Sequence, residues 1–258
     1  RVVMSSTDTS EGTKITLEAL ELGALDFIHK PDNVADCRSV NYKRRFLEIL
    51  HVVTESLPPV FETEVQKREV RSTSFQMTDL VKRHASSVKG RKIVAIASST
   101  GGPKALQSVI PLLPSSLEAP VLVVQHMPQG FTQTLAERLN LLSEVRVKEA
   151  QEGDILENGH VYLAMGGRHL NVVSAPGGKY KIHYSDEPPR EGVRPCANYM
   201  YESLKTSLYD EVICVVMTGM GADGTKGILN LMEGKKTFVI AQEQNTCAVY
   251  GMPRSIVN

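Results

Sequence analysis

Residues 93–102 read Ile-Val-Ala-Ile-Ala-Ser-Ser-Thr-Gly-Gly, an apolar run that stops at a serine pair and then at glycines. A run this continuously apolar suits a strand covered by helices on both faces, the setting of a parallel sheet. The layout recurs twice downstream. Residues 121–124 run into Gln125-His126, and residues 212–217 run into a Thr-Gly-Met-Gly-Ala-Asp-Gly loop carrying Asp223. A serine, a histidine and an aspartate thus each stand just past the carboxyl end of a buried-type strand. In an open α/β sheet such ends line the crevice where ligands bind.

The segments between these strands have helical periodicity. Pro103 suits a first helical turn, and Leu106, Val109, Ile110 and Leu113 follow on one face. After Pro128 come Phe131, Leu135, Leu139 and Leu142; after Gly224 come Ile228, Leu231 and Met232. The final strand is expected over 238–241. Shorter alternating runs at 161–164, 170–173 and 180–184, separated by glycines, predict hairpins. Residues 91–258 therefore read as one α/β domain: a mainly parallel, doubly wound sheet in three αβα layers with an antiparallel hairpin extension.

Residues 1–53 read as the C-terminal part of another α/β unit. A strand ends over 1–4, Leu17, Leu20 and Ala24 share a helical face, Gly23 suits its C-terminal break, and 25–29 is a second strand closed by Lys30-Pro31. A further helix is predicted over 34–53, with Val40, Phe46, Leu47, Leu50 and Val53 apolar. By itself this unit would leave one face of its sheet unpaired. Residues 54–90, rich in Glu, Lys, Arg, Ser and Thr and broken by Pro58-Pro59, read as a linker. The basic residues Lys82, Arg83, His84, Lys89, Arg91 and Lys92 read as a solvated stretch rather than a partner surface.

Composition narrows the function classes. The chain has 258 residues, 41% hydrophobic and 22% charged, with a formal net charge of +0. Nothing in that balance points to nucleic acid. Cys37, Cys196, Cys214 and Cys247 are scattered without metal-type spacing, which suits a reduced, cytoplasmic compartment. The apolar runs are too short to insert in a bilayer, and no signal peptide is evident. The first residue is Arg1, so the N-terminal unit is expected to be the end of something longer.

Serine is a poor nucleophile near neutral pH. It needs a base, and the base needs a group that fixes its tautomer. Ser99, His126 and Asp223 supply those types, and backbone N–H groups at Thr100, Gly101 and Gly102 open a helix where a developing oxyanion would be stabilised. Other readings stand beside this one. Ser99 could cap a helix, Asp223 could cap the next helix, the glycine loop could hold a phosphate, and Ser98 is a rival nucleophile. The G-x-S-x-G elbow is absent, as are the Walker and dinucleotide spacings.

Four blocks taken in order are more specific. Ala97-Ser98-Ser99-Thr100-Gly101-Gly102, Gln125-His126-Met127-Pro128, Thr218-Gly219-Met220-Gly221-Ala222-Asp223-Gly224 and Gly251-Met252-Pro253-Arg254 resemble the signature blocks of the chemotaxis protein-glutamate methylesterases, the CheB family. The resemblance implies a catalytic domain over 91–258, with Ser99 as nucleophile, His126 as base, Asp223 as its orienting partner, and Thr100, Gly101 and Met220 at the oxyanion and substrate site. It implies no metal and no organic cofactor. The implied substrates are methyl esters of chemoreceptor glutamates, with deamidation of receptor glutamines by the same acyl chemistry. An inactive interaction module of the same fold is the alternative.

Three departures from the family pattern stand out: Met165 in place of proline, Cys196 in place of serine, and Asn198 in place of aspartate. They are expected to alter a turn and a loop near substrate, where Arg194 also lies. Residues 1–31 resemble the end of a response-regulator receiver domain, with Ser5, Phe27 and Lys30 at its switch serine, aromatic and lysine positions. A full receiver would imply a chemotaxis histidine kinase as partner. The receiver's acidic pair and phosphoacceptor are not among these 258 residues, so this chain is expected to have basal activity indifferent to a phosphodonor.

Overall fold

The computed structural model describes residues 1–6, 9–31, 33, 36–55 and 90–258. The larger part is a six-stranded, all-parallel sheet. It is built from β3 (Lys92–Ser98), β4 (Val121–Gln125), β5 (Arg146–Glu149), β6 (His160–Leu163), β9 (Glu211–Val216) and β10 (Thr237–Ala241), in the order β10-β9-β3-β4-β6-β5. All five residues of β4 are buried, as a central strand with helices on both faces requires. Chain order reverses across β3, which has β4 on one side and β9 on the other. The carboxyl ends of β9, β3 and β4 therefore flank the switch point of the sheet.

Two cores sandwich this sheet. On one face Ala95, Ala97, Val124 and Cys214 pack with α5 (Ala197–Ser203), α6 (Thr225–Met232) and the hairpin β7 (His169–Ala175) and β8 (Lys179–Ser185). On the other, Ile96, Val121 and Val123 pack with α3 (Gly102–Val109) and α4 (Phe131–Leu142). A short α7 (Gly251–Val257) closes the chain, with Met252 in the first core.

The N-terminal unit has β1 (Val3–Ser6) parallel to β2 (Asp26–His29), α1 (Ser10–Glu21) between them, and α2 (Val40–Glu55) after them. Thr9 caps α1, and Gly23 takes a φ of 108° just past its end. The face left unpaired in the isolated unit is not left to water. Leu17, Leu20 and Phe27 join the α3/α4 core, and Phe27 stacks on Phe131 at 4.5 Å between ring centroids. The Arg138 guanidinium forks onto Glu21 at 2.8 and 3.0 Å, and Thr134 bonds Thr13.

Several sequence expectations change. Among the described residues only β7–β8 is a hairpin; the 161–164 run is β6, parallel to both β4 and β5, and its continuously apolar Val-Tyr-Leu-Ala is the pattern of an inner parallel strand rather than of a hairpin arm. The first strand runs through Ser5 and Ser6. The helical period was right in three helices, but the buried stripe is narrower than expected: Val109, Leu142 and Met232 are exposed. Among the described side chains of α2 Ile49 is buried, while Val40, Phe46, Leu47 and Leu50 are exposed; the helix packs on β2 and takes the Arg1 guanidinium on its Val53 carbonyl oxygen, which leaves most of its apolar positions facing outward. Residues 56–89, with Lys82, Arg83, His84 and Lys89, lie outside the described residues. Arg91 is placed against the Tyr180 and Tyr209 rings.

Helices α5 and α6 meet at Gly227, where an added Cβ would lie 2.7 Å from the Asn198 Cα and carbonyl oxygen. Overpacking of that kind costs about 1–3 kcal/mol, of which the better helix propensity of alanine returns about 1 kcal/mol. Gly227→Ala is expected to lower the melting temperature by several degrees in a thermal scan. An unchanged melt would mean that the two helices can separate at no cost.

Candidate active site

The site is assembled from three strand ends. Register places Ser98 opposite Gln125 and Ala97 opposite Val216, so the residues just beyond are Ser99, His126 and Thr218. Backbone bonds carry the alignment past the strands: His126 N–H donates to Ser98 O (3.1 Å) and Ser99 N–H to Thr218 O (2.9 Å). Gly219 passes so close that a Cβ there would sit 2.7 Å from Ser99 Cβ. Only glycine fits at that point.

His126 and Asp223, 97 residues apart, are joined directly: Nε2 to Oδ2 is 2.7 Å, with side chains 8% and 3% exposed. The carboxylate takes three further donors. Ala197 N–H (2.6 Å) reaches Oδ2, while Asn198 N–H (3.0 Å) and the Cys196 thiol (3.0 Å) reach Oδ1. Burial pushes the Asp223 carboxyl up. The His126 bond and charge, the Cys196 thiol and the Ala197 amide outweigh burial and hold it at about 2. Asp223 is therefore an acceptor only, and Nε2 of His126 carries the proton. In the neutral ring that leaves Nδ1 as the nitrogen with a free lone pair. Burial, then the neighbouring Asp223 charge, drives the Cys196 thiol far above its ordinary range, so it stays an S–H donor.

Ser98 and Ser99 differ in their surroundings. Ser98 is fully buried and donates to Gln125 Oε1 (2.7 Å), while Gln125 Nε2 donates to Ser99 O (2.9 Å) and His126 O (3.2 Å). Gln125 thus staples the serine loop to the histidine loop. The Ser99 hydroxyl has no hydrogen-bond partner among the described residues and does not bond His126 in this conformation. Nor does Ser99 cap a helix: the N-cap of α3 is Gly101, at φ 77°, with no side-chain cap. Asp223 caps no following helix either. It accepts the first amides of α5, whereas the amides of Gly224 and Gly227 at the start of α6 go to Asn198 Oδ1 (3.2 and 2.6 Å).

The amides of Ser99, Gly102 and Gly219 are committed to backbone carbonyls, so none is an oxyanion donor; the expectation at Gly102 fails because its N–H donates to Ser99 O (2.8 Å). The Thr100 hydroxyl donates to Asp26 Oδ2 of the N-terminal unit at 2.6 Å, buried. His126 also lines a cavity of about 350 Å³ whose other wall is N-terminal: Phe27, His29, Pro31 and Tyr42. Cys196 and Asn198, expected near substrate, turn instead onto the Asp223 loop. Arg194 is exposed and makes no ion pair with any described residue. Met165 is partly buried against the first core. Phe27 faces Phe131, while Ser5 and Lys30 are exposed. Sequence reading did not anticipate Gln125 as a staple or Asn198 as a cap. A glutamine ending an otherwise apolar, fully buried strand was the available signal for the first.

A family model for the CheB methylesterase matches residues 94–258. The chain belongs to the CheB methylesterase family. It is 40% identical over 257 residues, 99% of its length and 71% of the relative's, to a Geobacillus kaustophilus protein named protein-glutamate methylesterase/protein-glutamine glutaminase. A Bacillus subtilis protein of the same name is 41% identical over 265 residues, at the same coverage. Among solved structures, the Thermotoga maritima CheB methylesterase catalytic domain superposes with a TM-score of 0.62 at 43% identity, covering 66% of this chain and 88% of that one. Family and fold thus agree with the motif blocks. Among the described residues no helix is long and apolar enough to cross a membrane.

Asp223 links the site to acid stability. Its folded carboxyl, at about 2, lies below the ordinary 3.8, so its stabilising contribution is complete above about pH 4 and is lost as pH falls towards 2. Denaturant titrations at stepped pH should show the stability gap between the parent chain and Asp223→Asn shrinking by about 2 kcal/mol across that window. A constant gap would show that the carboxylate is not held in its charged form.

Proposed function

We propose that this chain is a serine hydrolase that removes methyl esters from glutamate side chains of chemoreceptors, and deamidates receptor glutamines by the same acyl chemistry. The observation that carries the proposal is the buried 2.7 Å His126–Asp223 bond, set beside a strand-end serine whose hydroxyl is otherwise uncommitted. The names of the relatives support the substrate class.

In this reading Ser99 Oγ attacks the ester carbonyl as its proton passes to Nδ1 of His126. Asp223 holds the ring with its proton on Nε2 and stabilises the imidazolium. The tetrahedral oxyanion is met by backbone N–H groups of the Thr100-Gly101 turn and of Met220. The proton on Nδ1 leaves with methanol, or with ammonia when the substrate is glutamine. Water then gives its proton to Nδ1 and its oxygen to the acyl carbon, releasing the glutamate carboxylate and restoring Ser99. Hydrogen bonds of this kind are commonly long before substrate arrives and tighten in the Michaelis complex. The setting we propose is the cytoplasm, where the receptor's signalling domain is found.

Ser99→Ala should lower methanol release from methylated receptor by several orders of magnitude, and Ser98→Ala should remain active. Near-normal release from Ser99→Ala would reject the assignment, whereas no release from the parent chain, with fluorophosphonate failing to label Ser99, would favour the inactive module.

We further propose that the N-terminal unit is receiver-derived, with Ser5, Phe27 and Lys30 at its switch positions, and that it limits access to the site. What supports this is the Phe27–Phe131 stack, the Asp26–Thr100 bond and the shared wall of the cavity at His126. Phe27→Ala should loosen the unit and raise kcat/KM on methylated receptor several-fold, with a smaller gain on a small methyl ester. A fall on both substrates would show that the unit supports the site rather than covering it.

A further inference from the structure

Two positions that depart from the family pattern, Cys196 and Asn198, are in direct contact with the Asp223 loop. Asn198 makes the more telling set of bonds. Its backbone N–H donates to Asp223 Oδ1 (3.0 Å), while its side-chain oxygen accepts from Gly224 N–H (3.2 Å) and Gly227 N–H (2.6 Å). Asp223 in turn accepts the amide of Ala197, the first residue of α5. Each of the two segments thus caps the helix that belongs to the other. The start of α5 satisfies the Asp223 carboxylate, and Asn198 on α5 satisfies the start of α6, which follows Asp223 directly. The exchange is closed and buried: Asn198 is 0% and Asp223 3% exposed. The amide nitrogen of Asn198 faces Glu191 Oε1 at 3.4 Å, and Glu191 pairs with Lys226 of α6 at 3.3 Å.

We infer that Asn198 is a positioning residue for the hydrolysis, fixing the place of Asp223 and through it the angle of the His126 ring. The inference rests on the triad reading above. Asn198 touches neither His126 nor Ser99, so it acts only through the loop it caps. Without its side-chain oxygen, two buried amides at the start of α6 lose their acceptor, and the segment carrying Asp223 is free to shift. A displacement near 1 Å of a group that orients a base can cost about a hundredfold in rate. The effect is expected on turnover, because the group that shifts is one that orients the base in the chemical step.

The experiment compares Asn198→Ala, Asn198→Asp and Ser99→Ala in the 258-residue chain, assaying methanol release from methylated receptor. Assay temperatures are set well below each variant's thermal melt. Asn198→Ala is expected to lose about tenfold or more in kcat with KM within twofold. Asn198→Asp keeps both acceptor bonds and should recover most of that kcat even if its melting temperature stays reduced. The inference is overturned if Asn198→Ala keeps kcat within twofold, if its loss lies in KM, or if Asn198→Asp is as slow as Asn198→Ala. Substantial activity in Ser99→Ala would instead remove the triad reading, a result separate from any of these.

Discussion

The arrangement depends on one buried carboxylate. Taking an ion out of water costs several kcal/mol even after relaxation, and Asp223 recovers this only because four donors from separate stretches of chain converge on it. Those donors belong to the end of β4 and the start of α5, while Asp223 itself follows β9. Satisfying the charge therefore fixes three loops relative to each other. The bonds that make Asp223 tolerable inside the protein are the same bonds that hold His126 in one tautomer. Stability and chemistry are not separable here, since removing a donor both exposes the cost of the charge and frees the ring.

The sheet makes that convergence possible. Parallel strands in fixed register deliver their carboxyl ends at one level, and β3, β4 and β9 end within a residue or two of one another. This much was legible in the sequence, because strands covered on both faces are continuously apolar and their polar residues stand out at the ends. Ser99, His126 and Asp223 could be picked out on that ground, and Pro103, Gly101 and Gly23 marked helix boundaries for steric reasons that need no tertiary information. The helical periods were legible as well.

What was not legible depended on partners distant in sequence. The 161–164 run is continuously apolar, which fits an inner parallel strand, but four residues do not say that its neighbours are β4 and β5. The apolar positions of α2 fit a helix, but which stripe is buried was decided by where β2 lies, and Ile49 won. Asp223 looked equally able to cap the helix after it. It caps α5 instead, about 26 residues earlier in the chain, and leaves α6 to Asn198. Cap exchange of this kind leaves no local trace, because an asparagine one residue into a helix and an aspartate before a glycine are both ordinary. The staple made by Gln125 was half visible: a lone amide at the end of a buried strand must bond something, but nothing in the sequence said it would bond both neighbouring loops.

The N-terminal unit follows from the same argument about burial. A two-stranded parallel piece cannot cover its own apolar residues, so Leu17, Leu20 and Phe27 are covered by α3 and α4, the two helices that leave the serine and histidine loops. Its attachment is therefore not a peripheral contact. Any change that alters how α1 and β2 sit on Phe131 acts on helices whose first turns begin at Gly102 and Phe131, only a few residues from Ser99 and His126. The Asp26–Thr100 bond makes the coupling more direct, since the hydroxyl it holds belongs to the turn whose amides are proposed to meet the oxyanion. Covering apolar surface and restraining the site are, for this unit, consequences of one interface.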